Sequence, residues 1–433
     1  STLSYTVHLY AQAGPGQRLV VLGAGESGVG TAILGRALGF EVFVSEYGQP
    51  KPKFADELER EQLPHETGQH TESLILNADL VMKSPGIPPE APIVQQIRQA
   101  GIPIVSEIEF ASRYTNGKIV AITGTNGKTT TTTMTYHILR HGGLDVCMAG
   151  NIGNSFAREL AQRDYDWWVL EISSFQLEDI DTFRPNIALI HNLSRNHLNR
   201  YDGSMTAYGD AKMNITRNQT AEDVFLYSLD SQDLVAAVER HSLRAQRIGF
   251  SMVKTEAPVY FDLATSTIHF NIHFNSETMA RKRSITKRLP IDLNVDGKHN
   301  RYNAMASATI GSLLEIRKER VRESLSEFRN ADHRLENVTA VNGRKFVNDS
   351  KATNINATWF ALESMNSKVV WIVGGVDKGN DYGMVLDLVK KKCHTVVMLG
   401  RDAKSVERIR NAFDGHVEQL YHATSMEEAV HKS

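Results

Sequence analysis

Val120–Met134 reads V-A-I-T-G-T-N-G-K-T-T-T-T-T-M, and the architecture of the whole chain turns on it. The apolar run Ile119–Ile122 reads as a buried strand, Gly124–Thr130 as a tight loop, and the threonines beyond it as the start of a helix. Strand, loop and helix in that order make a phosphate cradle. Backbone N–H groups and a helix N-terminus carry positive partial charge, and Lys128 adds a full one. Thr129, a hydroxyl directly after the lysine, is placed to hold Mg²⁺. The common pattern G-x-x-x-x-G-K-[ST] is not met, because Ile122 stands five positions before Gly127; the loop is the shorter G-T-N-G-K-T-T. A plain Gly/Asn turn would explain the glycines, but not the strand before them together with the lysine–hydroxyl pair.

At 433 residues the chain is too long for one core and calls for two to four domains. A hydrophobic fraction of 41% and a charged fraction of 23% suit a globular protein, and a net charge of −2 gives no support to a nucleic-acid or membrane-surface binder. Cys147 and Cys393 lie far apart and read as buried free thiols of a reducing compartment. No apolar run reaches transmembrane length and no basic-then-apolar signal pattern opens the chain, so the expected location is the cytoplasm.

Upstream of the loop, strand Arg18–Leu22 runs into Gly23-x-Gly25-x-x-Gly28 and a helical pattern through Leu38. A second strand, Glu41–Val44, ends at a Ser45-Glu46 turn about 20 residues past the glycines, the spacing of a dinucleotide fingerprint. Such glycines also cradle other diphosphates, nucleotide sugars included, or only pack a helix on a strand. Alternating strands and helices through Ile102–Val105 indicate an open parallel α/β sheet that ends near Ser106.

Residues 107–330 form the longest expected domain. Strand Trp167–Ile172 carries one carboxylate, Glu171, at its C-terminal end, where ligands of α/β sheets collect. A charge there is costly unless it meets a cation, so Glu171 reads as a metal ligand or a buried ion-pair partner. His197, just past strand Ile187–Ile190, is either a further ligand or an ordinary polar histidine. Lys212 follows in Tyr208-Gly209-Asp210-Ala211-Lys212, which opens a helical run, and residues 250–290 suggest peripheral hairpin strands. Arg281-Lys282-Arg283 reads as a solvated loop. From 331 to 433 the strand-then-glycine rhythm returns as a third α/β domain.

These stretches together resemble the Mur ligases, the ATP-dependent amino-acid ligases of cell-wall peptide synthesis, through all three domains. G-T-N-G-K-T-T is shared across that superfamily, folylpolyglutamate synthetases included. E-I-S-S-F-Q-L-E at Glu171–Glu178, N-D-S-K-A-T-N at Asn348–Asn354 and the G-A-G-E-S-G loop narrow the likeness to members that join D-glutamate to UDP-N-acetylmuramoyl-L-alanine. The resemblance implies a Rossmann-like N-terminal domain (1–106), a central P-loop ATPase domain (107–330) and a C-terminal Rossmann-like domain (331–433), in a cytoplasmic monomer with no nucleic-acid or membrane partner.

It also implies roles. Gly124, Thr125, Asn126, Gly127, Lys128, Thr129 and Thr130 hold the ATP phosphates, with Thr129 toward Mg²⁺. Asn300 and Asn303 meet the nucleotide, and Arg334 and Asp349 close over ATP from the third domain. Glu171 and His197 ligate metal, and Lys212 matches a lysine that is carbamylated to support a second Mg²⁺. Asn151 lies near the substrate and the transferred phosphate. Lys351, Thr353 and Lys378 surround the incoming D-glutamate, while Glu26, Ser27, Ser45 and Glu46 hold the UDP part. Where the family reads D-H-x-D-R-Y, this chain has N-H-L-N-R-Y, so Asn196 and Asn199 remove two charges beside His197. The family's S-P-A-x-A-S-x-D-x-F segment is absent before Ser433, and the expectation drawn from that is an incomplete sequence or impaired glutamate binding. The competing readings are another amino-acid ligase of the Mur or folylpolyglutamate type, an NAD-linked oxidoreductase built on Gly23–Gly28, and a non-catalytic nucleotide-binding regulator.

Overall fold

A computed structural model describes residues 16–194, 201–274, 284–291, 298–332, 336–341, 343–348, 358, 361–362, 365, 367–374 and 382–433. They fall into two compact units, 1–324 and 325–433. The first contains two sheets. One has five parallel strands in the order β3-β2-β1-β4-β5: β1 Arg18–Leu22, β2 Glu41–Glu46, β3 His65–Thr67, β4 Leu80–Lys83 and β5 Ile104–Val105.

The second sheet runs β14-β13-β12-β11-β10-β9-β6-β8-β7. Its strands are β6 Lys118–Thr123, β7 Val146–Gly150, β8 Trp167–Glu171, β9 Ile187–Ile190, β10 Val224–Ser228, β11 Gln246–Ser251, β12 Val259–Asp262, β13 Thr267–His273 and β14 Ser284–Pro290. Strands β6 to β12 are parallel and β13 and β14 antiparallel, so the alternating 250–290 region forms the sheet's outer edge. The near-continuous apolar runs of β1, β6 and β8 follow from burial on both faces, which parallel sheets require.

Register places the chemistry. Ile122 pairs with Glu171, Thr123 with Ile190, and Gly150 with Glu171, so the carboxyl ends of β6 to β9 finish at one level. Behind them Trp168 is fully buried, its ring 4.7 Å from that of Phe156 on the helix Phe156–Gln162. Truncating a tryptophan so placed costs about 3–5 kcal/mol.

The two sheets of the first unit are tied together at several points. Helix Glu26–Ala37 lies against helix Phe156–Gln162 so closely that a Cβ on Gly30 would fall 2.2 Å from Ser155 Oγ. Lys83, only 1% exposed, meets Asp179 at 3.1 Å. Glu109 accepts the backbone N–H groups of Asp181, Thr182 and Phe183 at 2.6, 2.6 and 2.8 Å.

The second unit holds the hairpin β15 Glu336–Val341 with β16 Arg344–Asn348, and a parallel sheet in the order β17-β18-β19. These strands are Val369–Gly374, Cys393–Leu399 and Gln419–Ala423. Both cysteines are free and buried, and burial pushes each thiol up to about 12. No helix among the described residues is long and apolar enough to cross a membrane.

Two local expectations change. Ser45 and Glu46 are the last residues of β2 rather than a turn, because Val44, Ser45 and Glu46 pair with His65, Glu66 and Thr67 of β3. Lys212 sits in the last turn of helix Met205–Met213 rather than at its opening, since Ser204 caps the helix by accepting Ala207 N–H.

Candidate functional site

The cradle forms as the sequence requires. After β6, Gly124 and Gly127 adopt φ of +144° and +81°, and helix Lys128–His141 begins at once. Both values lie where only glycine is comfortable. Space imposes the same choice at Gly127, where a Cβ would stand 2.7 Å from His191 Cδ2 and 2.8 Å from Asn303 Oδ1. The loop is braced from the end of β9. Asn192 Oδ1 accepts the N–H groups of both Thr125 and Asn126 at 3.0 Å, and its amide donates to Asn126 O at 3.1 Å. Thr125 Oγ1 lies 3.1 Å from the Tyr208 hydroxyl and accepts Ser194 N–H at 2.9 Å. With those two N–H groups engaged, the helix's first turn and the half-buried Lys128 are what a phosphate would meet.

Asn303 sits beneath the loop rather than at its rim. It is 2% exposed, its Oδ1 is 2.5 Å from His191 Nε2 and accepts from Thr131 Oγ1 at 3.1 Å, and its amide donates to Asn300 at 3.4 Å. In this arrangement it shapes the cradle.

Beside the loop, Thr129 Oγ1 donates to Glu171 Oε2 at 3.0 Å, which joins two of the residues read as metal-holding. Glu171 is 3% exposed. A buried carboxylate and an adjacent hydroxyl make an oxygen-only donor set suited to Mg²⁺, which binds few protein ligands and keeps waters. Among the described residues no cluster of three His, Cys, Asp or Glu stands ready as a metal site. Asn151, exposed at the end of β7, donates its N–H to Glu171 O at 2.8 Å and so borders the same spot.

Lys212 reaches in from its helix and donates to Thr123 Oγ1 at 3.0 Å, with Nζ 5.3 Å from the Tyr208 ring centroid. Burial holds its pKa well below the ordinary lysine value; the Lys128 charge adds to that shift and Glu171 opposes it. The aromatic face favours the cation only modestly, so desolvation wins and the amine is biased toward its neutral, nucleophilic form.

A cleft of about 400 Å³ opens at the glycine loop of the first sheet, and Ala24, Gly25, Glu26, Glu46, Lys51, Lys53 and Phe54 are among the residues that line it. Glu46 accepts Ala24 N–H at 2.8 Å and so holds the loop's shape. Ser45 is fully buried, with its hydroxyl 2.9 Å from Glu66 and 2.7 Å from His70 Nδ1. Ser27 lies half-buried in the first turn of the following helix. The Glu26 carboxylate faces Arg158 and Ser155, at 2.9 and 3.0 Å.

His197, Arg334, Asp349, Lys351, Thr353 and Lys378 lie outside the described residues, as do Asn196 and Asn199. The sequence reading missed Asn192 and Tyr208 as loop braces, and Lys51 and Lys53 as cleft cations. Asn192 could have been found as an amide two residues past the carboxyl end of β9, the strand beside β6; the others carry no pattern of their own.

Comparison with known proteins covers nearly the whole chain. Residues 17–106 match the family model "Mur ligase MurD-like, N-terminal domain", residues 122–311 "Mur ligase middle domain" and residues 333–433 "Mur ligase, glutamate ligase domain". The chain is 44% identical over 416 residues to a UDP-N-acetylmuramoylalanine–D-glutamate ligase of Christiangramia forsetii, covering 96% of this chain and 90% of the relative. It is 46% identical over 415 residues to the enzyme of the same name from Porphyromonas gingivalis, covering 95% and 89%. In fold it is similar to a murein peptide ligase from Psychrobacter arcticus, with a TM-score of 0.50 at 18% identity over 96% of this chain and 92% of that one. The UDP-N-acetylmuramate:L-alanyl-γ-D-glutamyl-meso-diaminopimelate ligase of Neisseria meningitides gives 0.51 at 18% over 71% and 97%.

Proposed function

The chain belongs to the Mur ligase family, and from that premise we propose that it uses ATP to join D-glutamate to UDP-N-acetylmuramoyl-L-alanine, the two partners that its relatives' shared name, UDP-N-acetylmuramoylalanine–D-glutamate ligase, gives for them. The observation that carries the reading is the meeting of Lys128, Thr129, Glu171 and Lys212 at the carboxyl ends of β6 and β8.

A carboxylate is a poor acyl donor, because its charge repels an amine and oxide does not leave. ATP solves this by phosphorylating the alanyl carboxylate. The carboxylate oxygen bonds to the γ-phosphorus, ADP leaves, and the D-glutamate amine then attacks the acyl phosphate through a tetrahedral intermediate that expels phosphate. Protein side chains have little covalent work in such a transfer, so positioning and charge dominate. Lys128 and the first turn of its helix hold the phosphates. Thr129 and Glu171 would hold a Mg²⁺ ion, which would neutralise phosphate charge. Lys212, buried and biased toward the neutral amine, is set to take up CO₂ as a carbamate, an anion that with His197 would hold a second Mg²⁺. Asn151 borders the acceptor carboxylate. The 400 Å³ cleft with Lys51 and Lys53 receives the UDP part. Arg334, Asp349, Lys351, Thr353 and Lys378 serve ATP and D-glutamate from the third domain, residues 331–433, which closes on the first two, residues 1–106 and 107–330.

The test is ADP release measured with UDP-N-acetylmuramoyl-L-alanine and a panel of amino acids. Release that needs both that nucleotide sugar and D-glutamate supports the reading. Preference for glycine, L-glutamate or another amino acid, or release without an acceptor, overturns it.

A further inference from the structure

Arg158 stands at the joint between the two sheets of the first unit, and no motif draws attention to it. Its guanidinium serves two carboxylates. Nε donates to Glu26 at 2.9 Å, while Nη1 and Nη2 donate to the two Glu57 oxygens at 2.6 and 2.7 Å. The side chains are 16% exposed for Arg158, 31% for Glu26 and 14% for Glu57. Glu26 begins the helix behind the glycine loop and lines the cleft. Glu57 does not line it, but belongs to helix Pro52–Arg60, whose Lys53 and Phe54 do. One arginine on the central sheet's helix therefore binds two elements that line a cleft built on the other sheet. It is four residues beyond Asn154, in the turn that starts at Asn151 beside Glu171.

We propose that Arg158 is a positioning residue for the nucleotide-sugar substrate: it holds Glu26 and helix Pro52–Arg60 at the separation the nucleoside diphosphate needs, and it masks the Glu26 charge that would otherwise repel that diphosphate. Both functions require the planar five-donor fork. A lysine ammonium can serve one carboxylate well but not a bidentate pair and a third oxygen together. The proposal rests on the ligase reading above for the identity of the substrate.

The experiment is steady-state kinetics of the whole chain, varying UDP-N-acetylmuramoyl-L-alanine and ATP separately, for wild type, Arg158→Ala, Arg158→Lys and Glu57→Gln. Arg158→Ala is expected to raise KM for the nucleotide sugar roughly tenfold or more while KM for ATP stays within about twofold. Arg158→Lys should fall between it and wild type. Glu57→Gln, nearly isosteric and outside the cleft, should raise the same KM severalfold and add nothing to Arg158→Ala in the double variant. Unchanged nucleotide-sugar KM in folded Arg158→Ala, or in Glu57→Gln if the alanine variant does not fold, overturns the proposal, as does an equal rise in both KM values. If wild type turns over no such substrate, the ligase reading fails separately. The Arg158 proposal is then judged by calorimetric binding of UDP to the same proteins: weaker binding in Glu57→Gln and Arg158→Ala supports it, and unchanged affinity overturns it.

Discussion

Glu107→Gln should stabilise the protein progressively as pH rises from about 4.5 to 8. Glu107 is 1% exposed; one carboxyl oxygen accepts Ala157 N–H at 2.6 Å, and the other has no hydrogen-bond partner among the described residues. Burial pushes its pKa from 4.5 up to about 8; the Ala157 hydrogen bond opposes this and the Glu26 charge reinforces it. Because the folded value lies above the unfolded one, the group's contribution to stability is full below pH 4.5 and is lost as pH rises through 8. At pH 7 the loss is about 3 kcal/mol, growing to about 5 kcal/mol above pH 8, at 1.36 kcal/mol per unit. Glutamine keeps an oxygen for Ala157 and never ionises. Its buried NH₂ costs about 1–3 kcal/mol, but by the same amount at every pH. The assay is the difference in Tm between variant and wild type from pH 4.5 to 8.5, in which all other titrations cancel. For a unit of about 300 residues the difference should move by about 5 °C between pH 4.5 and 7 in the variant's favour. Parallel Tm curves would show that Glu107 ionises as freely folded as unfolded, and the reasoning from its burial would be refuted.

Three further outcomes concern the reaction. Lys128→Ala should reduce acyl-phosphate formation on the order of a thousandfold, read by phosphate exchange without D-glutamate, and retained exchange would remove Lys128 from its role. Carbon-13 bicarbonate should give a carbamate resonance in wild type that disappears in Lys212→Arg together with activity; an unlabelled, fully active wild type would leave the low lysine pKa without a use. Small-angle scattering should report compaction when an ATP analogue and the nucleotide sugar are both present, and an unchanged radius of gyration would count against closure by the third domain.

Much of this was legible in the residues. The strand–loop–helix at Lys118–His141 announces itself because its apolar run, its glycines and its lysine obey independent rules that agree. Glu171 could be singled out because a charge ending an apolar strand needs a reason. Ser45 and Glu46 were harder: polar residues at a strand end look like a turn until β3 supplies backbone partners, and that pairing is non-local. Lys212 was found by its sequence context, but its burial against Thr123 and Tyr208 depends on a helix packing onto a strand 89 residues away. Arg158 shows the limit most clearly. Its partners lie 132 and 101 residues earlier, and nothing near it in the chain distinguishes it from a solvated helix arginine.

The claim on which the rest depends is that ATP phosphorylates the substrate's own carboxylate beside Lys128 and Glu171. UDP-N-acetylmuramoyl-L-alanine carrying heavy oxygen in its alanyl carboxylate tests it in one turnover with ATP and D-glutamate. One labelled oxygen should appear in the inorganic phosphate for each amide bond formed. Phosphate released without label while the amide accumulates would contradict the account.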